Sequence, residues 1–272
     1  MALPVLKAST FTCMGTVVSV TMPAAAVRAA TASGRNETAD ALGTAAAAVE
    51  RVFAGLDARF SLYRPDSEAS RLARGDIQLR EASAEMRERY ADAAGWRLLT
   101  GGAFTPERPD GILDLSGTIK GYAIRRAGAA LQDLGLVDWC LNAGGDVLVA
   151  GSPAPGSGAP WQTGIVDPAD RTGLATAFPL GGTSRFTALA TSGSAERGDH
   201  IWTAGAGRAE FVQVSVAATD IVTADVLATA IVAGGRQMLD RATDDWDIEV
   251  LATLADGVLL GTQGFRAPTQ TS

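Results

Sequence analysis

Two stretches of this chain combine residue types and spacings that could do chemistry. The first is ILDLSGTIKGYA, Ile112 to Ala123. Ile112, Leu113 and Leu115 read as the end of a buried strand, and Ser116 and Gly117 as a sharp turn. A helix is expected from about Thr118 to Leu134, stopped by Gly135. Strand, small-residue turn and helix start make a place for an anion, because first-turn N–H groups lack intrahelical partners and the helix dipole is positive there. Lys120 sits in that first turn, where the dipole disfavours a cation, so a bound anion would account for it. From spacing alone an ordinary strand–turn–helix unit with a solvated lysine is the commoner arrangement. Neither GxxxxGK[ST] nor GxGxxG is present.

The second stretch is ADVLATA, Ala224 to Ala230. Asp225 and Thr229 are four apart on an expected helix, so they share a face. Carboxylate and hydroxyl are hard oxygen donors of the kind Mg²⁺ takes, one or two from protein and the rest from phosphates and water. The competing reading is an acid favoured by a helix start and a packed threonine. His200 is the only histidine, which removes any histidine metal cluster and leaves it as a candidate general base. Asn142-Ala143-Gly144-Gly145-Asp146 places two glycines between strands, where a ligand could approach the backbone or a plain hairpin could turn. Ala190 to Ser194 reads as a similar small-residue turn, and no serine–histidine–acid triad follows from spacing.

The elements that must hold these residues point to α+β. Thr16 to Met22 is a strand, and Thr38 to Phe60 a helix burying Leu42, Ala45, Ala46, Val49, Val52, Phe53 and Leu56. Arg64-Pro65-Asp66 is a turn, Ser67-Glu68 opens a short helix, and Ser83 caps another reaching Leu99. Short strands are expected at Gly164 to Val166, Ala175 to Phe178, Phe186 to Thr191 and Phe211 to Val216. A helix entered at Thr223 runs to Val232, and Glu249 to Leu254 pairs with Val258 to Leu260 across an Asp256-Gly257 turn.

With 272 residues, 47% hydrophobic and 19% charged, the chain can bury a real core. A net charge of −7 and a pI near 4.8 argue against non-specific nucleic-acid binding. Cys13 and Cys140 are the only cysteines, too few for a disulfide framework or a thiolate metal site. The N-terminal MALPVLKASTFTCMGT lacks a basic segment followed by an apolar run, and no stretch reaches the length of a membrane span. The expectation is a cytoplasmic protein without membrane insertion.

Taken together and in order, eight motifs resemble the FAD:protein FMN transferase (ApbE-like) family. They are Met14-Gly15-Thr16; FSLYRPDSEASRL from Phe60; GGAFTP from Gly101; DLSGTIKGYA from Asp114; LNAGGDVLVAG from Leu141; ATSGS from Ala190; His200-Ile201; and ADVLATA from Ala224. The resemblance covers nearly the whole length. It implies an ApbE-like, T-fold-related α+β fold with a mixed sheet and flanking helices. It implies one such domain over residues 1–272, whole or as two lobes with the site between them. It also implies Mg²⁺-dependent cleavage of FAD at its pyrophosphate, with FMN passing to a Ser or Thr of an acceptor protein and AMP leaving.

By the same resemblance Asp225, Thr229 and the main-chain carbonyl of Gly117 are metal ligands, with side-chain identity at Gly117 of little consequence. FAD contacts fall on Met14, Tyr63, Ala103, Phe104, Thr105, Asp114, Lys120 and Trp202, with Tyr63, Phe104 and Trp202 able to stack on adenine or flavin. His200 and Asp225 are the catalytic candidates. The chain departs from the family pattern at Thr105, where the loop usually carries Asp, at Thr203 to Gly207, at Arg125 and at Ala73. No clear copy of the acceptor motif Asp-x-x-Ser/Thr-Gly-Ala/Ser-Ser/Thr occurs in it, so the acceptor is another protein. An FAD pyrophosphatase using water as acceptor, and a flavin-binding protein without turnover, are the competing readings.

Overall fold

The computed structural model describes residues 3–25, 41–193 and 210–266. Strands β1 (Leu6–Cys13) and β2 (Thr16–Pro23) form an antiparallel hairpin. Patterning picks out β2 but not β1, whose residues are exposed or half-buried at the sheet edge and so carry little alternation. Helix α1 (Ala41–Phe60) buries Leu42, Ala45, Val49, Phe53, Leu56 and Phe60, the expected stripe extended by one turn, with Ala46 and Val52 only half-buried at its margin. Helix α2 (Glu68–Ala73) is capped by Ser67, whose hydroxyl accepts the Ser70 N–H at 2.9 Å. Helix α3 (Ala84–Leu99) is capped by Ser83 in the same way, and the Ser83 hydroxyl in turn donates to Glu68 at 2.7 Å, tying the two helix starts together.

Helix α4 (Ser116–Asp133) ends as expected at Gly135, which adopts φ 76°. The Leu136 N–H bonds the Leu131 carbonyl at 3.1 Å and the Gly135 N–H bonds that of Gln132 at 2.8 Å, a Schellman closure. Its start differs from the sequence expectation. Ile112 to Leu115 is not a strand. The Arg108 N–H bonds Ile112 and the Asp114 N–H bonds Pro106, so 106–114 is a loop closed on itself, with a single bridge between Glu107 and Leu113. Ser116 and Gly117 are helical from the outset.

Strands β3 (Trp139–Ala143) and β4 (Asp146–Ala150) follow as a hairpin, then β5 (Trp161–Val166) and β6 (Leu174–Leu180), β7 (Ala188–Gly193) and β8 (Phe211–Ala218). Ala190 to Gly193 is therefore strand and not turn. Helix α5 (Ile221–Asp245) is capped by Asp220, whose carboxylate accepts the Thr223 N–H at 2.9 Å; Thr223 lies inside the first turn, not at the entry. The helix does not stop at Val232 but breaks at Gly235 (φ 62°) and resumes, with Glu210 accepting the Arg236 N–H at 2.9 Å as a second cap. The Asp-Gly hairpin joins β9 (Glu249–Leu254) and β10 (Leu259–Gly261), and a short α6 (Gln263–Arg266) closes the described chain.

Eight strands make one sheet in the order β1-β2-β3-β4-β7-β8-β9-β10, antiparallel at every described pairing. One face carries Val18, Val20, Leu141, Ala188, Ala190, Val214, Val216 and Val250 against the helices. The other carries Val147, Val149, Leu189, Ala217 and Leu251 against the separate β5–β6 ribbon, through Trp161, Ile165, Phe178 and Leu180. The central strands are thus covered on both sides, which is why their sequences are apolar runs with little alternation. No helix among the described residues is long and apolar enough to cross a membrane.

Candidate active site

The site is built where α4 crosses α5. Gly121 of α4 lies so near α5 that a Cβ there would sit 3.1 Å from Val222 Cα and 3.3 Å from Asp225 Oδ2. The approach lets the Gly121 N–H donate to Asp225 Oδ2 at 3.1 Å. In a regular α-helix that N–H points back at the Gly117 carbonyl. The Asp225 carboxylate therefore meets α4 just past its first turn. Asp225 is buried.

Lys120 is not a solvated lysine. Its ammonium contacts the Asp146 carboxylate and stands 3.7 Å from Asp225 Oδ1. The negative charge that explains a lysine near this helix start is first of all the protein's own. Asp146, the residue after the Gly144-Gly145 turn, is 0% exposed, and its Oδ1 accepts the Thr191 N–H from β7 at 3.1 Å. Burial pushes the Asp146 carboxyl up to about 6, against the pull of Lys120 and with the added repulsion of Asp225. One ammonium thus faces two buried carboxylates, an acidic excess at the floor of the site.

Thr229 lies one turn beyond Asp225, and its hydroxyl meets that of Ser192 on β7 at 3.0 Å. The glycine pair at the β3–β4 tip has φ 63° and 94°, and Met14-Gly15 at the β1–β2 tip has φ 51° and 70°, the signs a two-residue type I′ hairpin needs. The two tips are neighbours, since the Gly144 N–H bonds the Val17 carbonyl at 3.1 Å. Met14 is the one described non-glycine residue with positive φ.

The remaining candidates separate. Asp114 serves the helix: its Oδ1 accepts the Ser116 N–H at 2.9 Å, and Leu115 accepts that of Thr118. The first-turn donors expected to be free for a ligand are thus partly satisfied within the chain. Phe104 is 4% exposed, and its ring packs where a Cβ on Gly117 would come within 2.9 Å. What this loop offers a ligand is backbone and not an aromatic face, and a side chain at 117 would have to displace the Phe104 ring, so, against the expectation, side-chain identity there is of consequence. Ala103 is half-buried beside Gly234, and the Thr105 hydroxyl accepts the Glu107 N–H at 3.2 Å. Tyr63 stands 83% exposed on the loop between α1 and α2. His200 and Trp202 lie outside the described residues.

Sequence reasoning placed Asp146, Thr191 and Ser192 in small-residue turns without giving them a role, and gave none to Gly121. The signal for Asp146 was its place directly after the glycine pair, and for Gly121 its place directly after the lysine.

A buried carboxylate and a hydroxyl one turn along the same helix are donor types that fit a hard dication, and among the described residues the one ammonium beside them faces two carboxylates. Among the described residues no group of three or more His, Cys, Asp and Glu side chains could hold a metal by itself. A dication held there would take most of its ligands from water and substrate oxygens.

The ApbE family pattern matches residues 14–108 and 106–252. No curated protein matches the chain. Among solved structures, flavin transferase ApbE from Vibrio cholerae is 20% identical with a TM-score of 0.72, covering 97% of this chain and 99% of that one. The ApbE protein of Thermotoga maritima is 19% identical, TM-score 0.73, covering 96% and 98%. The apo flavinyl transferase ApbE of Pseudomonas stutzeri is 18% identical, TM-score 0.73, covering 98% of both chains. At such identities the structures establish a shared fold; the pattern match, which spans most of the sequence, establishes membership: the chain belongs to the ApbE family.

Proposed function

We propose that this protein is a Mg²⁺-dependent FAD:protein FMN transferase. The observation that carries the reading is the meeting of Asp225 with α4 at Gly121, with Thr229 one turn further along α5 and Lys120 between the carboxylates of Asp225 and Asp146. The names of the solved relatives, flavin and flavinyl transferases, support the same reaction. Asp225, Thr229 and the Gly117 carbonyl would hold Mg²⁺, which when bound supplies charge neutralisation for the pyrophosphate.

FAD lies in this reading along the hairpin tip at Met14, the loop at Ala103 to Thr105 and the start of α4, with Tyr63 as an aromatic contact and Trp202 as another that stands on sequence alone. The acceptor's Ser or Thr oxygen forms a bond to the phosphorus that carries riboflavin. The bond from that phosphorus to the bridging oxygen breaks, its electron pair stays on oxygen, and AMP leaves. The acceptor's proton goes to His200, an assignment that stands on sequence. Positioning and electrostatics do most of the work in such transfers, so the chain needs no covalent nucleophile of its own.

Incubation with FAD and Mg²⁺, with and without a peptide carrying Asp-x-x-Ser/Thr-Gly-Ala/Ser-Ser/Thr, tests this by intact mass. The peptide should gain one FMN by a phosphoester bond as AMP accumulates. FMN and AMP in equal amounts beside unmodified peptide would make water the acceptor and the protein a pyrophosphatase. Absence of turnover would leave only a flavin-binding protein.

A further inference from the structure

We infer that Asp146 is a positioning residue that keeps Lys120 from occupying the metal-binding oxygen of Asp225. The inference rests on the reading of Asp225 as a metal ligand. Asp225 has two carboxylate oxygens with different partners. Oδ2 accepts the Gly121 N–H, while Oδ1 has the Lys120 ammonium 3.7 Å away. Oδ1 is thus the oxygen left for a metal, and the lysine beside it is the natural competitor. What holds the ammonium short of contact is Asp146, which Lys120 touches directly.

Asp146 can act as an anchor because it is itself fixed. It is completely buried, it begins β4, and it is held to β7 through the Thr191 N–H. Thr191 is followed by Ser192, whose hydroxyl meets Thr229, so one edge of β7 steadies both the anchor and the second expected ligand. Lys120 is buried on the face of α4 turned to these acids, and among the described residues the carboxylates within ion-pair distance of it are Asp146 and Asp225. Neutralising Asp146 would leave the ammonium a single charged partner. Coulomb attraction in a poorly solvated setting would then draw it onto Oδ1. The same change would remove the negative excess that favours a dication.

The experiment is Mn²⁺ binding, read as free Mn²⁺ by electron paramagnetic resonance, in wild type, Asp146→Asn and the double variant Lys120→Met/Asp146→Asn. Asparagine keeps an oxygen for the Thr191 N–H. Thermal unfolding establishes that each protein is folded. Asp146→Asn should bind Mn²⁺ at least about tenfold more weakly, the range seen when partners of metal ligands are altered. The double variant, with no ammonium left to compete, should recover most of the lost affinity. A purely structural role for Asp146 predicts no such return. Wild-type affinity in Asp146→Asn, or a double variant as weak as the single, overturns the inference and leaves the metal site standing. No Mn²⁺ binding by wild type overturns the metal site itself and the inference with it. Should Asp146→Asn fail to fold, the double variant alone decides: folded and binding as wild type supports the inference, folded and not binding refutes it.

Discussion

The Gly121 backbone N–H donates 3.1 Å to Asp225 Oδ2, across 104 residues of sequence and between two different helices. Everything proposed for the site depends on that crossing. It orients the carboxylate, brings α5 onto the start of α4, and leaves Oδ1 facing Lys120.

Gly121→Ala should therefore damage both fold and function. The added methyl would sit 3.1 Å from Val222 Cα, a backbone atom that cannot rotate away, and 3.3 Å from the carboxylate oxygen. A loss of about 1–3 kcal/mol is expected from overpacking. FAD turnover should fall further than stability, because the ligand oxygen moves with the helix. Denaturant unfolding and turnover measured on the same sample check this, and a variant equal to wild type in both would contradict the crossing as drawn.

Met14 holds a left-handed backbone at a hairpin tip, φ 51°, where a side chain is strained. Met14→Gly should be more stable than Met14→Ala by about 1 kcal/mol, the reverse of their usual order. Both should bind FAD more weakly than wild type. Urea midpoints and FAD titrations give the two answers separately, and alanine as the more stable variant would refute the strain.

Much of the frame was legible. Ser67 and Ser83 as caps, Gly135 as a stop and the stripe on α1 all follow from local chemistry, and the structure has each. The start of α4 was misread because Asp114 and the loop closed at Pro106 imitate a strand end, while the cap is made by a side chain two residues back. The extension of α5 past Gly235 was hidden because its second cap, Glu210, is 26 residues away. The site was half legible for the same reason. Asp225 and Thr229 share a helix and announce themselves by spacing. Asp146 and Ser192 reach the site through sheet order, which no local pattern states.

The two cysteines should differ little from inert side chains at neutral pH. Burial pushes the Cys140 thiol up to about 12, and burial followed by the charge of Asp57 raises that of Cys13. A raised thiol pKa leaves little thiolate below it, so reactivity should climb only as pH rises. In native protein at pH 8, Ellman's reagent should leave Cys140 unmodified and react slowly with Cys13, with both thiols released in denaturant. Rapid native labelling of Cys140 would contradict the packing of β3.

The central claim is that Asp225 and Thr229 hold the metal on which FAD cleavage depends. The direct measurement is FAD turnover against Mg²⁺ concentration in wild type, Thr229→Val and Asp225→Asn, each matched for folded fraction. Asparagine keeps an oxygen for the Gly121 N–H, so the change removes charge with the least cost to the crossing. Wild type should lose turnover with chelator and regain it with Mg²⁺. Thr229→Val should need more Mg²⁺, since water can replace one neutral ligand, and Asp225→Asn should stay inactive at any Mg²⁺ while still binding FAD. Equal turnover in wild type and Asp225→Asn, at equal Mg²⁺ dependence, would contradict the claim.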